Sequence, residues 1–192
     1  MRDRRSNILP RVGLADQLTA TRIAVVPLVV ALFEWDFPGH DYWATGLFAA
    51  AAVTDWLDGR VARSRGRPSA LGTLLDPIAD KILVLAVLVD LVGRDVFPAW
   101  MVAAIVVREF LVSGLRLAAL ERGVVVRARD LGKLKTWSQA VACAVGGVAA
   151  GGAWSEAVAW WALLVAVVLT WVSGLDYARV APRLLRGRGA VA

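Results

Sequence analysis

The sequence of 192 residues has one cysteine and one histidine. A lone Cys143 excludes an internal disulfide, and so few sulfur and imidazole ligands exclude a soft-metal cluster. Cys143 lies in an apolar stretch with no histidine to activate it, so it is expected to be a small buried hydrophobe rather than a nucleophile. His40 falls in a short polar segment and is expected to be solvated. Polar surface is scarce as well: 58% of the residues are hydrophobic and only 20% are charged. That is too apolar for an ordinary water-soluble domain. No linker, low-complexity run or composition shift divides the chain, so residues 1–192 are expected to form a single domain. Nor is a cleavable leader expected, because after Arg2, Arg4 and Arg5 the chain is still polar at Arg11 and Asp16.

Long apolar runs are what the sequence has in place of these features. Six segments approach the roughly 20 residues that a bilayer core requires, at about 18–35, 41–58, 72–93, 96–119, 133–152 and 155–175. Short connections with breakers, such as Phe37-Pro38-Gly39 and Gly151-Gly152, separate several of them. The expected fold is therefore an all-α integral membrane protein, a bundle of six transmembrane helices. Lys and Arg outnumber Asp and Glu by 22 to 16. The cations occur as short clusters between apolar runs, which points to membrane topology and away from nucleic acid.

Loop charge gives an orientation. Arg2, Arg4, Arg5 and Arg11 precede the first segment, and Arg60, Arg63, Arg65 and Arg67 follow the second. Arg122, Arg127, Arg129, Lys133 and Lys135 lie at the fourth connection, and Arg179, Arg183, Arg186 and Arg188 follow the sixth segment. The opposite connections carry only Arg94. Cytoplasmic loops are enriched in Lys and Arg, so both termini are expected in the cytoplasm of a cell-membrane protein. Trp35, Trp43, Trp100 and Trp154 then fall at the outer interface, where amphipathic rings are favoured.

Some charges fall inside the apolar segments. Each costs at least about 2.5–3.5 kcal/mol at a membrane centre, so Arg22, Lys81, Arg108 and Arg116 call for partners. Asp55, Asp58, Asp76, Asp80 and Glu109 share the cytoplasmic halves of the second to fourth segments. Opposite charges at one depth predict a polar cavity open to the cytoplasm. Asp55 and Asp58 are three apart, and Asp76 and Asp80 four apart, so each pair shares a helical face. An antiparallel hairpin of these two segments would bring both pairs to one depth, where bridging cations are needed to offset their repulsion. Carboxylate ligands without His or Cys suit hard ions, Mg²⁺ or Mn²⁺, and two such ions suit a diphosphate. Gly59 and Gly72 permit close backbone approach of a nucleotide, and Arg63 offers a bidentate phosphate contact.

The stretch runs Asp55-Trp-Leu-Asp58-Gly59-Arg-Val-Ala62-Arg63, eight residues, then Gly72-Thr-Leu-Leu-Asp76-Pro-Ile-Ala-Asp80. At every position and spacing it resembles the signature of the CDP-alcohol phosphatidyltransferases. The resemblance implies six transmembrane helices, a cytoplasm-facing site and a homodimer. It makes Asp55, Asp58, Asp76 and Asp80 metal ligands, with Asp80 also the general base. Gly59, Ala62 and Gly72 would line the cytidine pocket of CDP-diacylglycerol, and Arg63 would meet its diphosphate. Near the N-terminus Asp16-Gln-Leu18-Thr19-Ala-Thr-Arg22 places Asp where many members have Asn.

The acceptor alcohol is read outside that signature. Arg108-Glu-Phe-Leu-Val-Ser113-Gly-Leu-Arg116 sets two arginines near one helical face, and Gly132-Lys-Leu-Lys135-Thr136-Trp-Ser-Gln139 opens the fifth segment. Arg108, Arg116 and Lys135 are the candidate ligands of an acceptor's phosphate. Both stretches are similar to those of the bacterial family members that form phosphatidylglycerophosphate, which implies glycerol 3-phosphate as acceptor and CMP as by-product. Inositol phosphate, serine, or phosphatidylglycerol as in cardiolipin synthesis are the rival acceptors. A divalent-cation transporter is the rival of another class, and it would spread its acids through the membrane depth rather than gather them at one edge beside cations.

Overall fold

The computed structural model describes residues 14–62, 70–121 and 130–186, with side chains for 20–54, 81–119, 131–176 and 178. These residues form six α-helices and no strand: α1 (Leu14–Glu34), α2 (His40–Ala62), α3 (Ala70–Gly93), α4 (Ala99–Glu121), α5 (Asp130–Ala150) and α6 (Glu156–Arg186). Each apolar segment of the sequence has become one helix. The helices overrun those segments where helix-forming residues continue past the apolar ones, so α2 carries Asp58–Ala62 within its last turns and α6 extends to Arg186.

Backbone hydrogen bonds fix the turns. At the end of α3, Asp95 N–H donates to Val92 O at 3.1 Å and Val96 N–H to Leu91 O at 3.1 Å, with Asp95 left-handed at φ 60°. The end of α5 repeats this closure through Gly152, at φ 83°, and Ala153. Both are Schellman caps, which use a left-handed residue to satisfy the last carbonyls. Only glycine takes that conformation without cost, so Asp95 is the more strained of the two.

Helix α5 is central: it packs on α6, α2 and α3. α1 packs on α2 and α3, while α4 packs on α6 and α3. The sequence suggested a direct hairpin of α2 and α3, whose meeting ends lie outside the described side chains; among the described residues α1 and α5 each pack on both helices. Small residues let α5 sit so close, and a methyl group at Gly147 would collide with the Thr45 hydroxyl of α2. The core between the helices includes Phe33, Phe48, Leu88, Leu91, Met101, Ile105 and Leu163, all essentially buried. Cys143 is buried among them and its thiol reaches Val84 O at 3.7 Å, as expected for an inert hydrophobe.

The surface departs from that of a water-soluble protein. Leu28, Val53, Val89, Phe110, Leu111, Leu117, Trp161 and Val165 are exposed, while Arg108, Glu109, Lys135, Gln139, Thr170 and Ser173 are buried. Among the described residues, the segment Glu156–Asp176 of α6 is long and apolar enough to cross a membrane, with mean hydropathy 2.1. Other helices break their apolar sequence with charge, α4 with Arg108, Glu109 and Arg116 and α5 with Lys133 and Lys135.

The described turns lie at one end, tied by Tyr42 Oη donating to Gly151 O at 2.6 Å and by a clasp on Arg94. Arg94 Nη1 lies 2.8 Å from Asp41 Oδ1 of α2, Arg94 Nε lies 3.1 Å from Asp90 Oδ2 of α3, and the guanidinium covers the Phe33 ring of α1 at 5.3 Å. Arg94→Ala would leave two mostly buried carboxylates without their cation. A loss of about 2–3 kcal/mol is expected, the range of hydrogen bonds to charged groups. Thermal unfolding in detergent should show a clearly lowered Tm, with substrate KM values retained because the clasp lies at the turn end.

Candidate active site

The opposite end of the bundle holds the signature. Asp55, Asp58, Gly59 and Ala62 are in the last turns of α2, and Gly72, Asp76 and Asp80 are in the first half of α3. The structure describes their helical backbone; the four carboxylates, and Arg63 altogether, lie outside the described residues. Helical spacing puts Asp55 with Asp58, and Asp76 with Asp80, on one face each. Only residues 63–69 separate the two helix ends, and α1 and α5 flank both helices. Four carboxylates from two adjoining helix ends, with no imidazole or thiol in the set, are the donor chemistry of a hard divalent cation. The residues present therefore fit a divalent metal.

Directly after Asp80 begins a polar cluster whose side chains are described. Lys81 of α3 donates to Ser113 Oγ of α4, and its Nζ lies 3.7 Å from Glu109 Oε2. Glu109 Oε1 accepts from Arg108 Nη1 at 3.1 Å, from Lys135 Nζ of α5, and from Gln139 Nε2 at 3.4 Å. Arg108 Nη2 donates to Ser173 Oγ of α6 at 3.0 Å, and Gln139 Nε2 donates to Thr170 Oγ1 at 2.8 Å. Ser113 Oγ in turn donates to Glu109 O at 2.6 Å. Four helices thus contribute to one network. Buried charges persist where they are paired and hydrogen-bonded in this way.

The bulk around Arg108 is tuned to the side chain. Its Nε is buried without a hydrogen-bond partner, and a Cβ added at Gly174 would lie 2.9 Å from that atom. Gly174 therefore gives α6 the clearance that admits the Arg108 side chain against it. Three cations surround one carboxylate, so positive charge is in surplus among these described side chains. Such a surplus is suited to a phosphorylated ligand.

The structure brings together Arg108 and Lys135, two of the three residues that the sequence proposed for the acceptor. Lys135, counted above among the cations of the fourth connection, lies in the first turns of α5 and is buried. Arg116 is exposed on α4, two turns beyond Arg108. Lys81 and Glu109 were visible in the sequence only as charges requiring partners. Thr170, Ser173 and Gly174 were missed; their signal is a pair of hydroxyls three apart, followed by glycine, in an otherwise apolar run.

Next to the signature in sequence, the described side chains of Lys81, Arg108 and Lys135 thus gather around the Glu109 carboxylate. Residues 12–172 match the family model described as CDP-alcohol phosphatidyltransferase, and the chain belongs to this family. It is accordingly a phosphatidyltransferase, of a family that generally depends on divalent metal. The CDP-diacylglycerol–glycerol-3-phosphate 3-phosphatidyltransferase of Bacillus subtilis (strain 168) is 41% identical over 181 residues, covering 86% of this chain and 93% of the relative. A probable phosphatidylglycerophosphate synthase of Mycobacterium tuberculosis (strain H37Rv) is 38% identical over 182 residues, covering 91% and 84%. A cardiolipin synthase (CMP-forming) of Oryza sativa subsp. japonica is 37% identical over 142 residues, covering 67% and 43%.

Proposed function

We propose that this chain transfers the phosphatidyl group of CDP-diacylglycerol to glycerol 3-phosphate, giving phosphatidylglycerophosphate and CMP. The observation that carries the proposal is the cluster of Lys81, Arg108 and Lys135 adjoining the signature, a cationic surplus suited to an acceptor that bears a phosphate. Relatives named for glycerol 3-phosphate, similar over most of the chain, support it.

In this reading Asp55, Asp58, Asp76 and Asp80 would hold two ions, Mg²⁺ or Mn²⁺, which would supply charge neutralisation at the diphosphate. Gly59, Ala62 and Gly72 admit the cytidine, and Arg63 contacts the diphosphate. Arg108, Lys135 and Arg116 receive the acceptor's phosphate and aim its primary hydroxyl. Asp80 takes the hydroxyl proton as that oxygen attacks the β-phosphorus in line. The anhydride bond between the two phosphorus atoms breaks, and CMP leaves with the bridging oxygen. Positioning and charge stabilisation supply most of the rate.

The same reading sets six transmembrane helices in the cell membrane, with both termini and the active site cytoplasmic and two copies forming a homodimer. Its support is the band of exposed apolar side chains around buried charge, and the exposed Trp35, Trp43, Trp100 and Trp154 at the turn end.

The deciding experiment supplies purified protein with CDP-diacylglycerol, Mg²⁺ or Mn²⁺ and each candidate alcohol, and measures CMP release. Glycerol 3-phosphate should exceed inositol phosphate, serine and phosphatidylglycerol in kcat/KM by at least about tenfold, because a site built for one polar ligand leaves groups unpaired with another. Turnover with inositol phosphate and none with glycerol 3-phosphate would overturn the assignment.

A further inference from the structure

Glu109 occupies a position that charge alone disfavours. It is an anion at the centre of the cations that are to receive a phosphate, and at such range it repels an incoming dianion. The geometry shows what it supplies instead. Its Oε1 collects Arg108, Lys135 and Gln139, and its Oε2 faces Lys81, so one carboxylate joins α3, α4 and α5. Among the described residues α4 packs on α3 and α6 but not substantially on α5, and Glu109 spans that gap. Without an anion between them, the three cations would repel one another apart. Their depths differ: the Arg108 and Lys135 side chains are 6% and 9% exposed, that of Lys81 29%. Ser173 and Gly174 brace Arg108 from behind, whereas Lys81 is held by Ser113 and by the longest ion pair of the cluster.

We propose that Glu109 is a positioning residue that preassembles the acceptor site, and that Lys81, the outermost cation, turns from Glu109 and Ser113 to the acceptor's phosphate. The inference rests on glycerol 3-phosphate being the acceptor. Preassembly tightens binding because the side chains are ordered before the ligand arrives. Arg108 and Lys135 then meet the phosphate while still held by the carboxylate, and Lys81 adds the contact that closes the site.

The sign of one substitution separates this role from a purely electrostatic one. Glu109→Gln removes a negative charge with little change of shape. By Coulomb attraction alone it would strengthen phosphate binding; as loss of a positioning group it weakens it. Initial rates with the purified full chain, CDP-diacylglycerol and Mg²⁺ or Mn²⁺ should show the glycerol 3-phosphate KM raised at least about tenfold, comparable to losing one charge-assisted hydrogen bond. The CDP-diacylglycerol KM should stay within about twofold, and kcat at saturating acceptor should fall much less than kcat/KM. Glu109→Asp keeps the charge and so guards against misfolding; its shorter reach should raise the acceptor KM at least about threefold. Lys81→Gln should raise the same KM without affecting the other substrate. An acceptor KM that is unchanged or lower in Glu109→Gln, or both KM values rising together in Glu109→Asp, overturns the positioning role. If the wild type does not use glycerol 3-phosphate, it is the acceptor assignment that fails; if it does and the Glu109 variants keep its KM, the positioning role alone fails.

Discussion

Asp58→Asn and Asp76→Asn should each lower CMP release by at least about a thousandfold, the scale of several kcal/mol of charge stabilisation at a metal site. Asparagine keeps the size of aspartate and one oxygen but removes the charge that a hard cation requires. The two positions lie on different helices, Asp58 near the end of α2 and Asp76 near the start of α3, so losing either opens one side of the carboxylate set. Neither belongs to the described core of Phe48, Leu88, Met101 and Leu163, so the bundle should fold and elute as the wild type does. Excess EDTA should silence the wild type, and Mg²⁺ or Mn²⁺ should restore it. Undiminished turnover in chelator would contradict a metal-dependent mechanism.

Replacing Arg108 or Lys135 by Ala should reduce kcat/KM for glycerol 3-phosphate by about tenfold to a hundredfold, from about 1.5–3 kcal/mol per charge-assisted contact. Affinity for a soluble CDP analogue, read by titration, should remain near normal. Arg63→Ala should show the reverse, because Arg63 belongs to the nucleotide half of the signature. Arg108→Lys should not rescue Arg108→Ala, since a single ammonium cannot reproduce the guanidinium fork that meets Glu109 and Ser173 together. Arg116→Ala should be the mildest of the acceptor-side changes, as this residue is exposed on α4 rather than buried in the cluster. Should Arg108→Ala and Lys135→Ala weaken CDP binding and spare the acceptor KM, the division of the cavity into nucleotide and acceptor halves is wrong.

The sequence by itself determined the helices and where the signature aspartates fall along them. An apolar run of about 20 residues has one stable backbone arrangement away from water, because each N–H and C=O must find its partner within the segment. The helix count was therefore legible from composition and turn residues alone. That Asp55 shares a helical face with Asp58, and Asp76 with Asp80, was legible for a related reason: i,i+3 and i,i+4 spacing fixes a shared face without any knowledge of packing. Cys143 was legible from its apolar neighbours.

Only the tertiary structure decided which charges meet. Glu109 is 28 residues from Lys81 and 26 from Lys135 in sequence, yet the packing of α5 on α3, and of α4 on α3 and α6, brings the three to one point. Local pattern carries no information about such contacts, because they depend on which helix faces adjoin. The same reason buries Lys135, near the start of the fifth segment, against Glu109 of α4. It also gave roles to Thr170, Ser173 and Gly174, which in α6 read as ordinary small residues until Arg108 and Gln139 are placed against them. Spacing along one helix is local geometry and is written in the sequence; the meeting of four helices around a carboxylate is set by packing, and packing needs the fold.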